Sequence, residues 1–326
     1  MQGKRKTLSG VTAMGSSALN QVTPPLRLNY PVCTLDKQLL LPENTVISTK
    51  TIDTLISSNS QTSYKTYSLF EYGSVKKDIF DSLQEHHYPV IFAEQEKTNT
   101  IMQVLEDVHL MLPVLESLEY FKEYDTFTYR HILMVFALST LLSIDLLADR
   151  ADREHLIKEF LAGPTHDFGK ICVPLDILQK KVPITQPERN VLEHHALAGY
   201  VLLSYYYRDR NNFFAKVARD HHERKNGSGY SRHIKLSNRL IEIVAVTDVY
   251  DALISPRPYR PISYDNRTAL EEITAMAERG QFNWKVVKAL VALNRASKPQ
   301  FDKCVISLEK RGTPPPHNTY GIIVKG

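Results

Sequence analysis

Cysteine is scarce in this chain, and what there is does not cluster. Cys33, Cys172 and Cys304 are odd in number and far apart along 326 residues. Neither a disulfide framework nor a thiolate zinc site is implied, and a reducing cytoplasm is the simplest setting. A strong surplus of one charge is also missing. The formal net charge is +4 and the pI about 8.7, with acids and bases interspersed. This is too mild for a protein that holds a nucleic-acid polymer, but compatible with a small anionic substrate. No apolar run makes a comfortable membrane span of ~20 residues. The longest, Ile132 to Ala148, contains Ser139, Thr140, Ser143 and Asp145 and reads as a bundle helix apolar on nearly every face. The opening stretch, with Lys4-Arg-Lys6 and then Ser, Gly and Thr to about Val22, lacks the apolar centre of a signal peptide. Residues 1–25 are expected to be a flexible tail.

What is present changes texture near residue 95. Residues 26–95 read as a small α+β domain with a regulatory or docking role. Leu39-Leu-Leu41 and Thr45-Val-Ile-Ser48 are short β-type runs, Ser48 to Ile56 is a capped amphipathic helix, Ser60 to Tyr67 is a polar loop, and Tyr88-Pro-Val-Ile-Phe92 is a closing strand. The doublet His86-His87 has no acids beside it and reads as surface. Residues 96–310 are expected to be a helical bundle, and the chain as a whole mainly α. The expected helices run over Thr100–Tyr120 with a break at Pro113, Asp125–Ala148, Arg153–Ala162, Pro187–Tyr207, Phe213–Glu223, Asn238–Ser255, Asn266–Arg279 and Trp284–Arg295. Residues 311–326, with Pro314-Pro-Pro316, should form an extended tail.

Imidazoles and carboxylates recur through the helical part. His166-Asp167 stands in Gly163-Pro-Thr-His-Asp-Phe-Gly-Lys170, with His131 upstream and His195, His221-His222 and Asp248 downstream. Such a set suits a metal site built on facing helices, and a carboxylate has two oxygens with which to bridge two cations. Each member has a bland alternative. Asp248 shares one helical face with Ile241, Val244, Ala245 and Ala252, so it is a buried carboxylate in need of a partner, either a metal or a core arginine. Consecutive helical residues point about 100° apart, so His221 and His222 converge only if they lie at a helix end, where Lys225-Asn-Gly227 places them. Otherwise they are a surface doublet.

His166-Asp167-Phe-Gly-Lys170, His221-His-Glu-Arg-Lys-Asn-Gly-Ser-Gly229-Tyr230, Asp248-Val-Tyr-Asp-Ala-Leu253 and Arg257-Pro-Tyr-Arg260, in this order, resemble the bacterial HD-GYP family. That family is a branch of the HD metal-dependent phosphohydrolases that hydrolyses cyclic di-GMP. The resemblance implies a helical HD-type bundle, two divalent metal ions, iron or manganese, and cyclic di-GMP as the bound partner. It implies that Asp167 bridges the metals, with His131, His166 and Asp248 on one and His195, His221 and His222 on the other. It further implies that Lys170 and Arg257 contact the phosphates, that Tyr230 lies on the substrate side, and that a metal-activated hydroxide opens the diester to linear pGpG and/or GMP.

Three departures stand out. Phe127 occupies a position where some members carry a glutamate for a third metal. Ser231 replaces the proline of the name motif, and the loop after it is shortened. Pro164-Thr165 replaces an apolar pair before His166. Beside the phosphodiesterase reading stand two others: a phosphohydrolase on another cyclic or linear nucleotide, and a slow or inactive cyclic di-GMP-binding protein. A protein partner is expected to dock on the N-terminal domain. The oligomeric state stays open.

Overall fold

A computed structural model describes residues 25–85, 87–147, 163–258, 260, 262–316 and 323–324. The expected tail over residues 1–25 is outside this set except for its last residue, and so are His86 and the helix expected over Arg153–Ala162.

The described chain is mainly helical. Its first part pairs β1 (Val32–Cys33) with β2 (Leu39–Leu41), antiparallel, and continues into α1 (Thr49–Ser58). Ser48 starts α1 by accepting the Thr51 N–H at 3.1 Å, while Ile52 and Leu55 turn inward. Of the β-type run at residues 45–48, only Val46 bridges, to Arg27. The polar stretch from Ser60 ends in β3 (Thr66–Ser68), followed by α2 (Val75–Leu83).

Tyr88-Pro-Val-Ile-Phe92 is not the expected strand but a helical turn, α3 (Tyr88–Ile91). Pro89 sits in the first turn, where its missing N–H costs nothing. Tyr88 and Ile91, three residues apart, both reach the core.

The helix expected over Thr100–Tyr120 divides into α4 (Gln95–Glu106), β4 (His109–Met111) and α5 (Leu112–Tyr124), with Pro113 in the first turn of α5 rather than at a break within it. β4 pairs antiparallel with β3, Tyr67 opposite Leu110. That pairing crosses the texture change near residue 95. A single hydrophobic cluster also runs from Leu28 and Val32 through to Cys304.

Asp125 caps α6 (Thr126–Leu146) by accepting the Thr128 N–H. At 21 residues α6 is long and apolar enough by length and composition to cross a membrane, contrary to the expectation from its polar interruptions. Its apolar window is 83% buried, and it packs against α2 and α5 and two later helices. Each fully buried Leu or Phe there contributes ~1.5–3 kcal/mol.

After two 3-10 turns, Gly163–Thr165 and Phe168–Cys172, come α7 (Leu175–Leu178), β5 (Ile184–Thr185), α8 (Gln186–Glu193), α9 (His195–Tyr207), α10 (Phe213–Asp220), α11 (Arg239–Ile254), α12 (Asn266–Glu278) and α13 (Trp284–Leu293). The helix expected over Pro187–Tyr207 is thus two, joined at His194. Thr185 and Glu188 close a reciprocal capping box at the start of α8. Residues 304–315 form neither helix nor strand. The Gly312 N–H donates to Glu271 on α12 at 2.8 Å, and β6 (Ile323–Val324) lies parallel to β5.

Candidate active site

His131 projects from the first half of α6, and Asp248 from α11, which packs on it. His166 and Asp167 stand between the two 3-10 turns, held close to α9 by Gly169. A Cβ on Gly169 would lie 2.0 Å from the His195 carbonyl oxygen and 2.4 Å from the Gly199 nitrogen, so only glycine permits this approach. His195 opens α9. His221 is the C-cap of α10 and His222 lies just beyond it, as the Gly227 turn suggested.

These side chains form two groups, His131, His166 and Asp248 in one and His195, His221 and His222 in the other. The potential ligand atoms in each lie within 4.8 Å of one another. Asp167 lies between them. Its Oδ1 is 3.4 Å from His195 Nε2 and 3.9 Å from His221 Nε2, while its Oδ2 is 3.4 Å from His166 Nε2 and 3.6 Å from His131 Nε2. One carboxylate therefore presents one oxygen to each group.

The imidazoles are oriented from behind. Nδ1 of His166 donates to the Gly163 carbonyl at 2.7 Å, Nδ1 of His195 to Leu192 at 2.5 Å, and Nδ1 of His221 to Ala218 at 2.9 Å. Nδ1 of His131 donates to Asp251 Oδ2 at 2.5 Å. A proton on Nδ1 leaves Nε2 with a bare lone pair facing inward.

Several of those lone pairs lack a donor. His166 Nε2 is buried with no hydrogen-bond partner. The Nε2 atoms of His195 and His221 are 3.4 Å apart, and those of His195 and His222 3.1 Å. Converging imidazole lone pairs beside carboxylate oxygens repel unless a cation sits among them, so the donor set fits metal ions.

Burial and the neighbouring imidazoles push His221 down to about 3 and His222 well below its ordinary range, which keeps both neutral and able to ligate. Burial opposes charge on Asp248 and Asp167. For Asp248 the adjoining His131 imidazole, with His222, more than offsets it; for Asp167 the Lys170 ammonium and His166 do so. Both carboxyls stay well below the usual carboxylate range.

The core-arginine alternative for Asp248 is not what the structure contains. Its partners are His131 Nε2 at 3.0 Å and His222 Nδ1 at 3.9 Å. The arginine is instead near Asp251, whose Oδ2 lies 3.8 Å from the Arg257 guanidinium. Sequence reasoning quoted Asp251 without a role, although its spacing of one helical turn from Asp248 puts both carboxylates on the same face of α11.

The groups open into a cavity of about 270 Å³. Lys170, Arg257 and Tyr230 line it together with an apolar wall that includes Phe127, Ile177 and Val182. Lys170 Nζ donates to Asp167 Oδ2 at 2.6 Å. Tyr230 stacks on His222, with ring centroids 4.5 Å apart and planes at 20°. The shortened loop beyond it is pinned: Glu223 accepts the Arg232 and Ile234 N–H groups at 2.6 and 3.1 Å, and the Arg232 guanidinium holds Asp220. Arg260 caps the end of α11, donating to the carbonyls of Leu253 and Ser255.

Residues 137–286 match the family model described as HD domain. Among curated proteins, the chain is similar to the cyclic di-GMP phosphodiesterase response regulator RpfG of Xanthomonas campestris, 44% identical over 31% of this chain and 27% of that protein. It is also similar to a cyclic di-GMP phosphodiesterase of Thermotoga maritima, 34% identical over 57% of this chain and 50% of that protein. A third relative is the cyclic di-GMP phosphodiesterase PA4108 of Pseudomonas aeruginosa, 37% identical over 54% and 42%. The chain spans half or less of the length of each of these relatives.

Proposed function

We propose that this chain is a metal-dependent phosphodiesterase that hydrolyses cyclic di-GMP to linear pGpG and/or GMP. The observation that carries this reading is the placement of the two Asp167 oxygens, one toward each imidazole-rich group, on the floor of a cleft that also presents Lys170 and Arg257. In this reading His131, His166 and Asp248 would hold one divalent ion and His195, His221 and His222 a second, iron or manganese, with Asp167 as a ligand available to both. When bound, such a pair supplies Lewis acidity, lowering the pKa of a water nucleophile and neutralising charge on the phosphoryl group.

The chain's own residues supply position and charge. The Arg257 fork and the Lys170 ammonium take the non-bridging phosphate oxygens, which fixes the diester and offsets charge that grows in the transition state. Tyr230, anchored on His222, turns its outer face to the substrate. The wall of Phe127, Ile177 and Val182 limits water in the cleft. The N-terminal residues 26–95 act in this reading as the part that a protein partner engages, in the cytoplasm.

A second reading, hydrolysis of a different cyclic dinucleotide, is favoured by the pinned loop after Tyr230, because a short fixed loop alters what meets the bases. Single-turnover assays with several cyclic dinucleotides on metal-replete, anaerobic protein, with metal content measured on the same sample, separate these. About two ions per chain and pGpG formation are expected. Fully loaded protein that opens no cyclic dinucleotide would leave a binding protein, and protein that takes up no metal would remove the site altogether.

A further inference from the structure

Behind the His131 half of the site lies a carboxylate that belongs to no group of inward-facing ligands. Asp251 is fully buried. Its Oδ2 accepts the His131 Nδ1–H at 2.5 Å, and its Oδ1 accepts from the Ser255 hydroxyl at 3.1 Å and from the phenol of Tyr88. Tyr88 is also fully buried and comes from α3, in the N-terminal part of the chain, 163 residues away in sequence.

The surroundings hold this phenol in place. The Arg130 guanidinium lies over the Tyr88 ring at 5.3 Å and donates to Ser255 Oγ at 3.1 Å. Lys298 Nζ donates to the carbonyls of Val90 and Ile91, anchoring the end of α3. A phenol in this position can only serve Asp251 if the turn that carries it stays docked.

We propose that Tyr88 is a positioning residue for the metal centre, through which the N-terminal segment sets the affinity of the half-site formed by His131, His166 and Asp248. The chain of contacts is short. The Tyr88 O–H and Ser255 O–H fix the rotation of the Asp251 carboxylate. With Oδ1 so engaged, Oδ2 is aimed at His131 Nδ1 and keeps the proton there. His131 Nε2 is thereby left as an acceptor, 3.0 Å from Asp248 Oδ1 and 3.6 Å from Asp167 Oδ2, where a cation would be shared.

Without the phenol, Asp251 can rotate and the His131 ring loses its set orientation. Hydrogen-bond partners of this kind change metal affinity by ~10–100-fold when removed. In the other half-site Nδ1 of His195 and Nδ1 of His221 donate to the backbone carbonyls of Leu192 and Ala218, so the set of these two rings does not pass through Asp251 or Tyr88 and should not respond. Displacement of α3 by whatever engages the N-terminal segment would therefore empty one half-site and leave the other filled.

This inference rests on the metal-centre reading above, and the test separates the two. Metal-free wild-type and Tyr88→Phe proteins are titrated with Mn2+ and Co2+, following tight and weak binding steps by competition with a chelator and the Co2+ visible absorption. Thermal melts of the metal-free proteins confirm folding. In Tyr88→Phe one of the two steps should weaken by ~10-fold or more while the other is unchanged. Turnover at sub-saturating metal should fall and recover when metal is raised, with KM for the diester nearly unchanged. Ser255→Ala, which removes the second hydroxyl from the same oxygen, should weaken the same step by less, and it serves as the test if Tyr88→Phe does not fold. Two wild-type steps that are both retained in Tyr88→Phe, or weakened equally, would overturn the role of Tyr88 and leave the metal centre standing. A wild-type protein with no binding step would overturn both.

Discussion

Lys170 Nζ lies 2.6 Å from Asp167 Oδ2, the oxygen that faces His131 and His166. An ammonium and a divalent cation cannot both own that oxygen, since like charges at such range repel strongly in a buried setting. Metal loading should thus turn Lys170 toward the cleft, where a phosphate can receive it. Lys170→Met is expected to retain full metal content and lose ~10–150-fold in kcat/KM, the worth of one charge-assisted hydrogen bond. Asp167→Ala is expected to lose both ions. Metal analysis and kinetics on the same preparations check this, and an Asp167→Ala protein that keeps its metal would refute the bridge.

Arg257 is nearly buried and sits within 3.8 Å of Asp251, yet it also lines the cleft. Because Asp251 keeps its bonds to His131, Tyr88 and Ser255, removing the guanidinium should not release metal. Arg257→Ala should weaken cyclic di-GMP binding and turnover by ~1.5–3 kcal/mol. Isothermal titration with substrate on a slowly turning over variant measures it, and an unimpaired Arg257→Ala would remove the phosphate clamp.

Acid should destabilise the metal-free protein, and the sign follows from burial. His194 is pushed down to about 4 by burial and then by His195, and His221 to about 3 by burial and its imidazole neighbours. Their unfolded pKa is about 6.5, so the unfolded chain takes up protons first. Their stability contribution is complete above that pH and is lost progressively as pH falls toward the folded values. His166 runs the other way: burial resists its protonation, but the Asp167 carboxylate raises it, so what it contributes is present in acid and lost as pH rises. Urea midpoints of chelator-treated protein between pH 7.5 and 4 should therefore fall. His194→Gln should lose ~3 kcal/mol less over that range, and an identical slope in wild type and variant would contradict the assignment.

The N-terminal residues and the helices after them share β-pairing and core, which bears on whether they can be separated. A fragment beginning at residue 96 would leave β4 without β3 and the cluster without Leu28, Ile52, Ile79 and Tyr88. We propose that such a fragment is poorly soluble or melts well below the chain beginning at residue 26. Comparing the two by circular dichroism and metal content checks it. A fragment from residue 96 that melts as high and holds the same metal would establish the helical part as self-sufficient.

The candidate ligands are legible in the sequence alone. The identities and order of His131, His166, Asp167, His195, His221, His222 and Asp248 depend on which atoms can ligate, and that is a property of residue type and motif. The mainly helical class was equally readable, because periodicity and caps such as Asp125 and Ser48 act over a few residues.

Tertiary structure decided what depends on distant partners. Tyr88-Pro-Val-Ile-Phe92 looks like a strand by composition, but it turns helical because Tyr88 and Ile91 both meet the core. β3 forms only because β4 arrives beside it. Asp251 lies one turn from Asp248, yet nothing local distinguishes a ligand from a carboxylate that orients one. That division of labour appears only when α6 brings His131 between them, Oδ1 of Asp248 on Nε2 and Oδ2 of Asp251 on Nδ1. The contact between Tyr88 and Asp251 spans 163 residues, a distance at which only packing, not sequence pattern, selects the partner.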